Sequence, residues 1–167
     1  INSNARALPS WSWECITIMG DTLVGFAVVL PYLRRHNKAL TAACIAIVLC
    51  ALCSYLCKIG FDSPRPLGTL PADMVNVIGP ALLKSSFPSG HTITAFVLVA
   101  LMVGYSSSRS VFALALAVGS LIGLSRIAVG AHWPVDVLGG AALGWLCGFA
   151  GLHLAAYVRT PWNAWLR

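Results

Sequence analysis

The chain has 167 residues, 58% of them hydrophobic and only 10% charged, with a net charge of +6 and a mean hydropathy of +0.81. That composition exceeds what a soluble domain needs to fill its core and makes lipid the main solvent. The 11 basic residues are scattered, with no basic run and no stripe between aromatics, which excludes nucleic acid as the expected partner.

In chain order, residues 1 to 12 are too polar for a signal core and end in interfacial-looking tryptophans. Five apolar stretches follow, at residues 13 to 33, 38 to 57, 88 to 105, 111 to 129 and 135 to 158, each long enough to cross a bilayer or nearly so. The third is the shortest, about 27 Å as a helix, which spans a thin hydrocarbon core. Backbone groups in lipid must pair within their own segment, so all five are expected to be helices. The fold expected is all-α: a polytopic transmembrane bundle forming one domain over residues 1–167.

Within these elements several features stay open. Asp21 falls about two turns into the first span, where an acid is a functional candidate or a partner within the bundle. Cys44, Cys50, Cys53 and Cys57 share the second helix and read as apolar packing, with no histidine near enough to complete a zinc set. Cys15 and Cys147 read the same way, and no metal is expected. The connector from 58 to 87 is long, turn-rich at its start, and contains "ADMVNVIGPALLKSS", expected as a short interfacial helix in a lid or entry element. Gly140, Gly144 and Gly148 recur every fourth residue on the last helix, a spacing for close packing inside the bundle. His36 and His153 have no evident partner.

Charge orients the bundle. The connectors holding Arg34, Arg35, Lys38 and Arg109, and the tail with Arg159 and Arg167, carry no acids and are assigned to the cytoplasm by the positive-inside tendency. The other face receives Arg6, Lys58, Arg65, Lys84 and Arg126 together with Glu14, Asp62, Asp73 and Asp136.

On that other face three polar clusters fall at the same end of their helices: "KIGFDSPRP" (58–66), "PSGH" (88–91) and "SRIAVGAHWPVD" (125–136). Gathering them at one membrane face avoids burying each charge singly in lipid. Lys58, Arg65 and Arg126 aimed at one place make a site for a multiply charged oxyanion, and the guanidinium fork suits phosphate. Ser89 and Gly90 begin the third helix, where backbone N–H groups and the helix dipole add to an anion site. Asp136, in the first turn of the last helix, can reach back to His132, fix its tautomer and stabilise positive charge on the ring. This assigns His132 as nucleophile and His91 as proton donor.

These three stretches together resemble the three-part signature of the type 2 phosphatidic acid phosphatase (PAP2) superfamily, in its integral-membrane lipid phosphatase branch. The match runs over residues 58 to 136, about half of the chain, with internal spacings preserved. The resemblance implies a metal-independent, cofactor-free phosphatase acting through a phosphohistidine. Lys58, Arg65, Ser89, Gly90 and Arg126 would bind phosphate, His91 would be the general acid, and His132 with Asp136 the nucleophile. Membrane members usually have six spans against the five found here, and with an isoleucine start the missing one is expected to be the first.

The function expected is hydrolysis of a lipid phosphate or diphosphate at the outer leaflet, the periplasmic side of a bacterial inner membrane. A lipid phosphotransferase using the same site stays open, as does a non-catalytic phospholipid-binding or transport protein. A pure binder has no need of a histidine–carboxylate pair at this spacing. The related vanadium haloperoxidases share the motifs but are soluble. The identity of the lipid and the oligomeric state are not legible.

Overall fold

A computed structural model describes residues 8 to 158. Arg6, Arg159 and Arg167, used above to orient the chain, lie outside the described residues. Among the described residues six α-helices run as α1 Ser10–Ile18, α2 Thr22–Leu33, α3 Ala39–Phe61, α4 Gly90–Gly104, α5 Arg109–Ala128 and α6 Pro134–Tyr157. There is no strand among the described residues, as an all-α bundle requires. Helices α3, α5 and α6 are long and apolar enough to cross a membrane, and α1 with α2 passes as one span bent by 61°.

The bend corrects the first span, which reads in sequence as one uninterrupted helix. Asp21 is extended (φ −64°, ψ 139°) and its carboxylate accepts from the backbone N–H groups of Leu23 at 2.9 Å and Val24 at 3.3 Å. A short acidic side chain that satisfies the first free N–H groups of a new helix favours ending the old one. The open question about Asp21 is thereby answered in part: it is the N-cap of α2.

The centre of the bundle is α4, whose residues from Thr92 to Leu101 are all buried. It is short, 15 residues or about 22 Å. It packs chiefly against α6 and α5, while α6 also packs along α3. The glycine stripe makes the α4–α6 contact possible. A Cβ on Gly140 would lie 2.8 Å from the Ser89 carbonyl oxygen, one on Gly144 2.5 Å from that of Ile93, and one on Gly148 2.5 Å from the Ala100 Cβ. The stripe therefore serves packing within the bundle, where close backbone approach supplies dispersion that lipid contact cannot better. The outer surface is correspondingly apolar: Leu23, Val48, Leu114, Leu138 and Leu146 are all more than 60% exposed.

The connector after α3 is not the interfacial helix expected over 72–86. Two short 3₁₀ turns, Pro66–Gly68 and Ala72–Met74, are followed by irregular chain. Gly79 at φ 96° and Pro80 after it interrupt any helix there. The segment instead folds back through backbone bonds from Arg65 N–H to Leu83 O (2.9 Å), Ser86 N–H to Ser63 O (2.9 Å) and Ile78 N–H to Val129 O (3.0 Å). Met74, Leu82 and Leu83 stay exposed, and Val75 is buried.

At the opposite end of the bundle His36 has partners after all. It stacks on Tyr105 with ring centroids 5.1 Å apart and lies 4.8 Å from Tyr32. Lys38 donates to the Ala156 carbonyl at 2.6 Å, and the His153 ring sits 5.2 Å from Tyr157.

Candidate active site

Alternating helix directions bring four ends together: the C-terminal turns of α3 and α5 and the N-terminal turns of α4 and α6. Lys58 ends α3, Ser89, Gly90 and His91 open α4, Arg126 ends α5, and His132 and Asp136 straddle the start of α6. The turn between α5 and α6 is tight. Both the Ala131 and His132 N–H groups donate to the Arg126 carbonyl, at 3.1 and 3.2 Å, and Gly130 takes φ 69°, a left-handed conformation that costs glycine little. This turn sets the spacing between Arg126 and His132.

Asp136 is the hub. Its Oδ2 accepts from the Trp133 N–H at 2.8 Å, from the Ser86 hydroxyl, and faces His132 Nδ1 at 3.4 Å. The Trp133 contact is also a helix cap, since a carboxylate three residues into a helix reaches back to the N-cap N–H. Asp136 is 1% and His132 3% exposed, so the pair works out of bulk water, where its interaction is stronger. With Nδ1 turned to the carboxylate, Nε2 is the nitrogen left with a lone pair.

Burial pushes the His132 imidazole below its ordinary value, and the nearby charges of Arg65 and Arg126 act in the same direction, while the Asp136 hydrogen bond opposes them. A neutral ring therefore persists to lower pH than a free imidazole, whose value is about 6.5. If neutral His132 is required, the acid limb of kcat/KM will fall below about pH 6.5; a limb at or above that value would speak against His132 as the titrating group.

The cations are held differently from one another. Arg65, 8% exposed, donates from Nε to the Lys84 carbonyl at 3.1 Å and from Nη1 to the Ala131 carbonyl at 3.2 Å. It thus fastens the connector to the turn before His132. Arg126 donates from Nη1 to Thr17 Oγ1 at 2.7 Å, and its Nε is buried with no hydrogen-bond partner among the described residues. An orphaned guanidinium N–H beside other cations suits an oxyanion. Arg65 acts electrostatically on Lys58, Arg126, His91 and His132, and Arg126, Asp21 and His132 act on His91, so the charged and histidine side chains singled out in sequence form one cluster.

The start of α4 departs from expectation at one atom. The Ser89 N–H is taken by the Asp136 carbonyl at 3.0 Å and so is not offered to an anion. Its buried hydroxyl instead accepts from Thr92 Oγ1 at 2.9 Å and keeps its own proton to donate. No side chain caps α4, and a Cβ placed on Gly90 would meet nothing within 4 Å. Gly90 therefore borders open space at an uncapped helix start, where the dipole favours an anion.

Ser86 belongs to the cluster through its bond to Asp136 and is not singled out in the sequence. It is fully buried, yet in "KSSFPSGH" it looks like any loop serine. Among the described residues no three His, Cys, Asp or Glu side chains are placed to share a metal ion.

Two apolar clefts adjoin the cluster. One, of about 170 Å³, runs from Gly90 along Phe26, Ile47, Ile93 and Val97 between α2, α3 and α4. The other, of about 530 Å³, is walled by Phe61, Phe87, Trp133 and Val135 beside Asp136. Trp133 is pinned there by a 2.9 Å bond from Nε1 to the Pro64 carbonyl.

Residues 39–160 match the model of the PAP2 superfamily. The chain is 31% identical over 142 residues to undecaprenyl-diphosphatase BcrC of Bacillus subtilis (strain 168), covering 85% of this chain and 71% of the relative. It is 36% identical to decaprenylphosphoryl-5-phosphoribose phosphatase of Mycobacterium tuberculosis (strain CDC 1551 / Oshkosh), covering 85% and 73%. The crystal structure of Aquifex aeolicus LpxE superposes with a TM-score of 0.76 at 29% identity, covering 86% of this chain and 85% of that one.

Proposed function

Because the chain belongs to the PAP2 superfamily, in which its relatives are membrane lipid phosphatases, we propose that it hydrolyses the phosphate or diphosphate of a lipid through a phosphohistidine on His132. The observation that carries the reading is the buried His132–Asp136 pair beside Lys58, Arg65 and Arg126, none of which is salt-bridged to an Asp or Glu among the described residues. The phosphate sits among Lys58, Arg65, Arg126, the Ser89 hydroxyl and the open first turn of α4 at Gly90, with its lipid tail along an adjoining apolar cleft.

His132 Nε2 attacks phosphorus as the bond to the lipid oxygen breaks, and His91 gives that oxygen its proton. Water, losing its proton to His91, then attacks phosphorus and frees His132 and inorganic phosphate. Three preset cations meet the charge on the transferring group, and Asp136 balances the ring while it carries phosphate. No step calls for a metal ion.

The site lies at the bundle end opposite Arg34, Arg35, Lys38 and Arg109, which supports an outer-leaflet, periplasmic site in a bacterial inner membrane. The test is phosphate release by the purified protein in detergent, with and without EDTA. The panel is phosphatidic acid, phosphatidylglycerol phosphate, undecaprenyl diphosphate and lipid A. Release from at least one of these, unchanged by the chelator, is expected. Loss of activity with EDTA overturns the metal-free mechanism, and recovery of phosphorylated acceptor in place of free phosphate makes the protein a phosphotransferase.

A further inference from the structure

We propose that the elbow between α1 and α2 is a positioning element for the phosphate site, in which Thr17 sets the guanidinium of Arg126. The inference rests on the proposed role of Arg126 as a phosphate ligand and adds what orients it.

The elbow comprises Thr17 to Thr22 and is held to both catalytic arms. Thr17 Oγ1 accepts from Arg126 Nη1 at 2.7 Å, across 109 positions of sequence. Gly20 lies flat on the next layer: a Cβ there would be 2.6 Å from Ile122 Cγ2, one turn before Arg126, and 2.9 Å from the His91 Cβ. Thr22 Oγ1 and Thr94 Oγ1 share a hydrogen bond of 3.0 Å, fastening the start of α2 one turn below His91. α1 ends at Ile18 and Asp21 caps the start of α2 three residues on, with a bend of 61° between the two helices, and α1 packs on α5.

A free arginine side chain samples many rotamers, and ordering it on each binding event weakens the ligand's hold. A carboxylate partner would order it but would also cancel the charge that the phosphate uses. A neutral threonine hydroxyl orders Arg126 and leaves the charge whole. With Nη1 so held, the buried and unpartnered Nε is fixed in direction. Thr17 touches no substrate in this scheme and is a positioning residue.

The test compares Thr17→Val, Thr17→Ser, Arg126→Ala and the double variant T17V/R126A in the full chain in detergent. The readouts are kcat and KM on the fastest lipid phosphate of the panel and the inhibition constant of inorganic phosphate. Losing a hydrogen bond to a charged group is expected to raise both KM and that inhibition constant about tenfold in T17V. T17S is expected to return to within about threefold of the parent, because it keeps the hydroxyl. The double variant should be no worse than R126A alone, since the threonine acts only through the arginine. Parental constants in T17V beside an impaired R126A overturn the clamp alone, as do additive losses in the double variant or failure of T17S to rescue. Undiminished phosphate affinity in R126A overturns the role of Arg126 and the clamp together.

Discussion

Replacing His132 by alanine is expected to lower kcat for phosphate release by at least about 10⁴-fold, because it removes the atom proposed to form the covalent bond to phosphorus. The loss should not be a folding defect. Asp136 keeps the Ser86 hydroxyl and the Trp133 N–H, so the buried carboxylate remains hydrogen-bonded, and the turn from Arg126 to residue 132 is made by backbone groups. The inhibition constant of inorganic phosphate should stay within a few-fold, since Lys58, Arg65 and Arg126 are untouched. The unfolding midpoint in detergent and phosphate inhibition, measured on the same preparation, separate these effects. Rapid alkaline quench with substrate labelled in the phosphate should trap an alkali-stable, acid-labile phosphoprotein in the parent and none in the variant. Phosphate release near the parental rate would remove His132 from the role of nucleophile.

Asp136→Asn is expected to have the second-largest effect, a fall in kcat of about 10² to 10⁴-fold. The amide is nearly the same size, so the change is electronic. One carboxylate oxygen meets three donors, from Trp133, Ser86 and His132, and an amide has only its carbonyl oxygen to offer. If its NH₂ turns toward the ring, His132 is driven to the other tautomer, with the proton on the nitrogen that must attack. In either orientation the negative charge that balances a phosphorylated imidazole is gone. The substitution also leaves buried donors short of a partner, which costs about 1 to 3 kcal/mol of stability. The pH profile gives an independent reading. The Asp136 hydrogen bond holds the His132 value up against burial, so the acid limb of kcat/KM in the variant should move to lower pH. A parental kcat in D136N, or a limb moving to higher pH, would contradict the pairing.

The two effects share a structural cause. His132 sits outside any helix, in the turn joining α5 to α6, and is aimed by groups on three separate stretches: Asp136 on α6, the Arg126 carbonyl on α5, and Arg65 with Ser86 on the connector. Arg65 ties that connector to the Ala131 carbonyl, so a cation proposed to meet the phosphate also braces the backbone beside the proposed nucleophile. Disturbing the connector is thus a way to disturb His132 without touching it.

Of the five spans expected, at most four among the described residues are long and apolar enough to cross a membrane, because α4 has only 15 residues. What the residue order did establish is the apolar helices, the end of the bundle that collects the polar residues, and the pairing of His132 with Asp136. Each of these is a local or periodic property. Hydropathy over some twenty residues states which solvent a segment needs, a spacing of four places a carboxylate one helical turn from an imidazole, and alternating helix directions decide which ends meet. What only the tertiary structure decided are contacts between residues far apart in the chain. The break at Asp21 depends on its carboxylate choosing the N–H groups of Leu23 and Val24 over solvent, beside a glycine that must press on His91. Ser86 gained its role from a partner fifty positions away, Ser89 lost its N–H to the Asp136 carbonyl, and Thr17 met Arg126 across the bundle. The segment over 72–86 has the apolar side chains of an interfacial helix, but Gly79, Pro80 and bonds to Ser63 and Val129 hold it irregular. Such pairings are set by which short polar side chains the packed helices bring within three ångströms of one another, and neither spacing nor composition carries that distance.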